Sequence, residues 1–236
     1  MQNWMIIPAT GTGQRMQADR PKQYLQLEQK TLLEHTLDNV LSHPAVSGVV
    51  LILNQEDRFW STLDYRHTKP VMVCTGGKQR HHSVYNGLTH LRQAVEGDPL
   101  VLIHDAVRPF VQHHELDRLL EAARDYPQGA LLAVPVSDTL KFADDHQCVK
   151  VTHPRDRLWR ALTPQAFRLN AILQAIGAVI SNNLDITDDA SAMELMGFHP
   201  KLIAGSGLNI KITHPDDMKI AQFMLKYYAQ AVEDMC

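Results

Sequence analysis

Apolar residues along the 236-residue chain fall into short continuous runs separated by helical stripes. Five runs have strand length: WMIIP (4–8), GVVLIL (48–53), PVMVC (70–74), PLVLIH (99–104) and GALLAVP (129–135). Near-continuous Val, Ile and Leu is the pattern of strands covered on both faces. Between the runs, Leu33, Leu37, Val40 and Leu41 share one helix face. Val84, Leu88, Leu91 and Val95 share another, and Leu116, Leu119, Leu120 and Ala123 a third. Strand–helix alternation of this kind predicts an α/β fold, a mostly parallel sheet flanked by helices on both sides.

The alternation breaks at 136–157. DTLKFADDHQCVKVTH reads as two short alternating strands around a polar turn at 143–147. An isolated two-stranded ribbon is marginal, so this one must lie against its own domain or against another subunit. The second case predicts a homodimer joined by exchanged β-hairpin arms. Beyond it the pattern predicts an amphipathic helix near 167–180, a short helix near 188–196, and apolar stretches KLIAG and NIKIT, the latter a short strand carrying Lys211. A last helix opens at Pro215, with Asp216 and Asp217 in its first turn. With no repeat, low-complexity tract or linker, the reading is one domain over 1–236 with an arm at 137–157 inserted in it.

Composition narrows the classes. At 44% hydrophobic and 21% charged the chain has the makings of a globular core. A net charge of −3 and a pI near 6.5 speak against a broad basic surface for nucleic acid, but not against a small anionic ligand. No apolar run approaches the ~20 residues of a membrane helix, and no basic n-region or cleavage-like site marks a signal peptide. Cys74, Cys148 and Cys236 are scattered, without zinc spacing. A reduced, cytoplasmic protein with no membrane partner is the expectation. The 13 histidines are dispersed and read as surface or hydrogen-bonded residues.

Candidate chemistry begins in the loop after the first strand, PATGTGQRMQADRPKQYL (8–25). Ligands of open α/β sheets bind beyond the carboxyl ends of the strands, and Gly11 and Gly13 let backbone N–H groups approach a phosphate. Met16 stands where a dinucleotide fingerprint needs its third glycine, and no Gly-Lys-Ser/Thr follows. Arg15 and Lys22 are close enough in sequence to fold over one anion, as phosphoryl or nucleotidyl transfer requires; two solvated surface cations are the plain alternative.

The wording of this loop resembles the nucleotidylyltransferases that join a nucleoside triphosphate to a sugar or polyol phosphate. Within them it is similar to the cytidylyltransferase family that makes 4-diphosphocytidyl-2-C-methyl-D-erythritol in non-mevalonate isoprenoid synthesis. The resemblance implies a Rossmann-like fold, CTP and a polyol phosphate as ligands, and Mg2+ or another divalent cation. It implies that Pro8, Ala9, Thr10, Gly11, Thr12 and Gly13 line the CTP site, and that Arg15 and Lys22 stabilise the transition state and leaving pyrophosphate. Thr10 departs from the family's usual alanine or glycine.

The later segments extend the resemblance over the whole chain. In TGGKQRHHSV (75–84), Gly76 and Gly77 permit backbone contact with a flat base, and Ser83 reads either as a helix N-cap or as a ligand contact. The family pattern Gly-Gly-x-x-Arg-x-x-Ser-Val places Gly76, Gly77, Arg80 and Ser83 at the cytidine; Lys78 stands where many members carry an acid. In LVLIHDAVRPFV (100–111), Asp105 ends a buried strand, where a carboxylate needs compensation. A divalent cation bridging phosphates would supply it, so Asp105 is the metal candidate. Arg108 either binds a phosphate or pairs with Asp105. The resemblance puts both on the acceptor side, adds Thr139 and Thr163 as acceptor contacts, and has Arg155 bind the acceptor phosphate in the neighbouring subunit. In DITDDASAMELMG (185–197), Thr187 reads as an N-cap with Asp188 and Asp189 in the first turn; the family assigns Thr187 to the acceptor. Lys211, ordinarily a solvated residue, there positions the acceptor phosphate.

Competing chemistries find no support in the chain. It has neither a Gly-x-Ser-x-Gly elbow nor a His-Glu-x-x-His pair. Transfer to an already ionised phosphate needs no protein nucleophile, only positioning and charge stabilisation. Two alternatives remain: a ribitol-5-phosphate cytidylyltransferase, which shares the loop, Lys-Gln and HD..RP motifs, and a non-catalytic nucleotide-binding module, which would keep the glycines and lose the cations.

Overall fold

A computed structural model describes residues 2–11, 16 and 19–233, with backbone alone over 228–233. The strand-length runs become β1 (Asn3–Ala9), β4 (Gly48–Leu53), β5 (Val71–Thr75), β6 (Leu100–Ile103) and β7 (Ala130–Pro135). Two-residue strands β2 (Gln26–Leu27) and β3 (Lys30–Thr31) form a small ribbon before the first helix. The main sheet has seven strands in the order β11-β7-β10-β6-β1-β4-β5, with β10 (Trp159–Arg168) and β11 (Lys201–Ala204) completing it.

Both faces are covered, which explains the unbroken apolar runs. Met5, Ile7, Val49, Leu51, Leu100 and Leu102 face one side, where α1 (Leu32–Ser42) and α3 (His113–Asp125) pack. Ile6, Val50, Ile52, Val101 and Ile103 face the other, under α2 (Arg80–Ala94), α4 (Leu169–Ser181) and α5 (Asp189–Leu195). Alternate residues of each strand thus serve opposite layers. The predicted stripes on α1 and α3 are buried, as are Val84, Leu88 and Leu91 of α2; Val95 caps that helix. The final helix α6 (Pro215–Glu233) starts at the predicted proline and packs Ala221 and Met224 against Leu27, Leu32 and Phe110.

One strand lies where the sequence pattern assigns nothing, and one expected strand is missing. The helix expected near 167–180 forms as α4, and the unassigned stretch before it is a strand: β10 runs antiparallel to both β6 and β7 in the middle of the sheet. Its register shifts between Ala161 and Gln165, around Pro164, which cannot donate to a ladder. That irregularity erases the alternation by which a strand is recognised. The stretch carrying Lys211 is not the short strand expected there. Residues 209–213 are irregular and held by single bonds, Ile212 N–H to the Val107 carbonyl (3.0 Å) and Arg108 Nη1 to the Asn209 carbonyl (2.7 Å).

The arm forms as a two-stranded antiparallel sheet, β8 (Leu140–Ala143) with β9 (Val149–His153), separate from the main sheet. Every residue of both strands is exposed, including Phe142, Val149 and Val151.

Candidate active site

The carboxyl ends of β1, β4, β5 and β6 open onto a cavity of about 450 Å³. It is lined by Pro8, Ala9, Thr10 and Gly11 from the end of β1, Asn54 after β4, Gly77–Arg80 after β5 and Asp105–Val107 after β6. Lys22, Gln23 and Lys211 complete the wall. A second cavity of about 300 Å³ adjoins it, lined by Arg108, Thr163, Gln165, Thr187 and Asp188 among others. The two share Arg80, Asp105 and Lys211, so these three side chains stand where the cavities meet.

The first loop is braced from below. Buried Gln23 donates through Nε2 to the Ala9 carbonyl (2.7 Å), pinning the end of β1 to the turn that carries Lys22. Lys22 Nζ donates to the Ile212 carbonyl (3.3 Å) and so lies beside Lys211. Thr12, Gly13 and Arg15 lie outside the described residues.

Gly76 and Gly77 permit close approach rather than unusual backbone angles. A Cβ on Gly76 would stand 2.4 Å from Thr10 Cγ2 and 2.8 Å from Ser83 Oγ; one on Gly77 would stand 2.4 Å from His82 Cβ. Ser83 is not the N-cap of α2. Gln79 holds that position with extended backbone, and Ser83, one turn in, reaches back to accept the Gly77 N–H (3.1 Å) while contacting Thr10 Oγ1 (3.3 Å). It satisfies an amide of the turn by another route, and it lines neither cavity.

Asp105 is the electrostatic centre. Its Oδ2 accepts from Arg108 Nε (2.9 Å) and pairs with Lys211 Nζ (3.1 Å). Burial alone would push the carboxyl up, but Lys211, Arg108 and Arg80 together hold it well below the usual carboxylate range. Of the two readings of Arg108, the structure displays the ion pair. Beside it, His104 is fully buried and burial lowers it to about 4, so it is neutral. Its Nε2 faces the Arg108 carbonyl (3.0 Å), which can only accept. The proton therefore sits on Nε2, and Nδ1 accepts from Thr163 Oγ1 (2.9 Å). Thr163 Oγ1 in turn accepts the Asp105 N–H (3.1 Å), fixing the loop that presents the carboxylate.

On the smaller cavity, Thr187 is not the cap of α5. Asp188 is: its Oδ1 accepts the Ser191 N–H (3.0 Å). A carboxylate in that place satisfies an orphan amide and favours the helix N-terminus, which leaves Thr187 on the cavity wall. Asp189 is fully buried and takes a bidentate bond from Arg80 (2.9 and 2.6 Å). Arg155 and Thr139 line neither cavity; Arg155 Nη1 donates to the Ser137 carbonyl at the base of the arm.

Sequence reasoning passed over three buried polar residues as site components. Gln23 follows the recognised lysine. Gln165 donates to Asp188 Oδ2 (2.8 Å) and accepts the Ala190 N–H (2.8 Å). Asn209 donates to the Thr163 carbonyl (2.7 Å). Polar residues within apolar or loop segments were the only signal.

Comparison with known proteins agrees with this geometry. The family model described as "IspD: 2-C-methyl-D-erythritol 4-phosphate cytidylyltransferase" matches residues 4–227. A 2-C-methyl-D-erythritol 4-phosphate cytidylyltransferase of Haemophilus influenzae (strain PittGG) is 47% identical over 220 residues, 93% of this chain and 95% of its own. One from Stenotrophomonas maltophilia (strain K279a) is 46% identical over 222 residues, 94% and 96%. Among solved structures, a 4-diphosphocytidyl-2C-methyl-D-erythritol synthase superposes with a TM-score of 0.83 at 36% identity, covering 95% of this chain and 98% of that one. The Francisella tularensis 2-C-methyl-D-erythritol 4-phosphate cytidylyltransferase gives 0.82 at 36%, covering 94% and 99%. The family model spans residues 4–227 and these relatives cover nearly the whole chain, so the chain belongs to the 2-C-methyl-D-erythritol 4-phosphate cytidylyltransferase family.

Proposed function

We propose that the chain transfers CMP from CTP to the phosphate of 2-C-methyl-D-erythritol 4-phosphate, releasing pyrophosphate. The observation that carries this reading is the junction of two cavities at Arg80, Asp105 and Lys211. The larger cavity suits the nucleotide and the smaller the acceptor, so the reacting phosphates meet among fixed charges.

An ionised oxygen of the acceptor phosphate attacks the α-phosphorus of CTP. The bond from that phosphorus to the bridging oxygen of the β-phosphate breaks, and its electron pair leaves with pyrophosphate. The protein moves no proton. Backbone at Pro8–Gly11, continued by Thr12 and Gly13, cradles the triphosphate, with Gly76, Gly77, Arg80 and Ser83 shaping the nucleoside end. Arg15 and Lys22 stabilise charge gathering on the α-phosphate and the leaving group. Lys211 aims the attacking phosphate, and Thr163 and Thr187 bound its site. Arg155 and Thr139 lie on or beside the arm, so they act from a second copy in a homodimer built through the exposed apolar residues of β8 and β9.

Among the described residues, Asp105 is the sole acidic one lining the larger cavity. Among the described residues no cluster of three or more His, Cys, Asp or Glu could hold a metal ion. One carboxylate with substrate phosphates and water is an ordinary setting for magnesium, so Asp105 fits as its protein contact. Bound there, Mg2+ would neutralise and orient the triphosphate. No helix of the described residues is long and apolar enough to cross a membrane. A cytoplasmic location is part of the proposal, supported by the free thiols of Cys74 and Cys148 among the described residues.

The test is pyrophosphate release with CTP and Mg2+, comparing 2-C-methyl-D-erythritol 4-phosphate with ribitol 5-phosphate. Release with the first alone is the expected result. Release with ribitol 5-phosphate alone would reassign the acceptor, and release with neither would overturn the transferase reading.

A further inference from the structure

Asp189 is a carboxylate with no solvent contact, on the first residue of α5; it lines neither cavity and is bonded to Arg80, which lines both. Burying a charge is costly unless it is paired and hydrogen-bonded. Burial pushes the Asp189 carboxyl up, and the Arg80 guanidinium opposes that push. For stability alone an apolar residue would serve as well. Geometry gives the pair another use. Arg80 opens α2 directly after the Gly76–Gly77 turn of the nucleotide cavity, whereas Asp189 opens α5, whose preceding residues Thr187 and Asp188 wall the acceptor cavity.

A guanidinium has five N–H donors in a fixed plane. Asp189 takes one from Nη1 and one from Nη2, in the fork geometry that sets the plane as well as the position. Three donors remain, and the side chain is 34% exposed at the junction of the cavities. Without the fork, Arg80 is within the field of Asp105 and Asp188 and would be drawn onto them. Gln165 closes the arrangement from the other side, holding Asp188 and the Ala190 amide so that α5 cannot follow Arg80 outward.

We infer that Asp189 is a positioning residue for the transfer reaction: it holds the Arg80 guanidinium at the junction and ties the acceptor-side helix to the nucleotide turn. The inference rests on the transferase reading above and adds to it a residue that touches neither substrate.

A double-mutant cycle tests it, with Asp189→Asn and Arg80→Ala made singly and together. Each is measured by pyrophosphate release and by calorimetric CTP binding, with thermal melting run alongside. Asp189→Asn keeps size and shape but breaks the charged fork, and should lower kcat/KM about tenfold or more when Arg80 is present. Once Arg80 is absent, the same change should alter kcat/KM less than about twofold, because Asp189 acts only through it. Asp189→Glu should recover part of the activity. Equal losses with and without Arg80, or a lowered melting temperature with kinetic constants unchanged, would overturn the inference in favour of a purely structural pair. If the wild-type chain releases no pyrophosphate, the transferase reading fails by itself. The CTP-binding cycle then still decides the Asp189 question: coupled losses support the positioning role and additive losses reject it.

Discussion

Adding one methyl group at Gly76 tests the packing beneath the nucleotide loop. Its Cβ would lie 2.4 Å from Thr10 Cγ2 and 2.8 Å from Ser83 Oγ. Carbon atoms ordinarily meet at ~3.5 Å or more, so Thr10 must retreat by roughly 1 Å. It cannot retreat toward Ser83, which it already contacts at 3.3 Å and which is itself committed to the Gly77 amide. Movement is left only outward, into the cavity that Thr10 lines. Overpacking of this sort costs about 1–3 kcal/mol, offset by ~0.4–1 kcal/mol from the stiffer unfolded chain. Gly76→Ala should therefore destabilise by about 1–2 kcal/mol and weaken CTP binding about tenfold, since the intruding methyl occupies ligand space.

The rescue is specific. Thr10→Ala removes the Cγ2 that makes the closest contact, so the double variant should regain most of the CTP affinity and part of the stability. Calorimetric CTP titration and urea denaturation of the four proteins give the coupling directly. If Gly76→Ala alone bound CTP as the wild type does, the clash would not reach the cavity and the reasoning would fail; if Thr10→Ala failed to restore binding, the glycine would be serving the ligand rather than the Thr10–Ser83 contact.

Two further outcomes bear on the mechanism. Lys22→Ala should lower kcat by ~10²–10³ while the CTP KM moves far less; steady-state kinetics decides this, and a rise confined to KM would make Lys22 a ground-state binder. Deleting 141–150 removes most of the arm, and sedimentation with pyrophosphate assays should then show dimer and activity lost together. A fully active monomer would end the exchanged-arm account.

The sheet was legible because its inner parallel strands β1, β4 and β6 are buried on both faces and leave unbroken apolar runs, and because Leu33–Leu41 and Leu116–Ala123 repeat at helical spacing. β10 was not legible. Its outer residues Trp159 and Arg160 are exposed, its middle is bent around Pro164, and its buried end reads into the helix that follows. The site divides the same way. Asp105 and the glycines stand out as charge or flexibility in places where either is expensive, whereas Lys22 and Lys211 are singled out from solvated surface cations only by the family resemblance. Asp189 reads as a first-turn charge at a helix N-terminus, because a sequence lists residues on α5 without showing that α2 lies against it. Capping and ion pairing use the same residue types, and only the chain's return path separates Asp188, which caps, from Asp189, which holds Arg80.

That separation explains how so many cations can share one small junction before any substrate arrives. Arg80, Arg108 and Lys211 would repel one another across two cavities if left alone. Asp105 engages Arg108 and Lys211 through a single oxygen, and Asp189 restrains Arg80 from behind. Two buried carboxylates thus divide the three cations between them and hold each in a fixed direction. A triphosphate entering the larger cavity meets donors already oriented, with little reorganisation left for the transition state. Charge matching alone would allow a looser cluster of lysines. Forked arginine contacts and a neutral histidine under Asp105 make the arrangement rigid, and rigidity is what transfer between two phosphates demands of a protein that supplies no nucleophile.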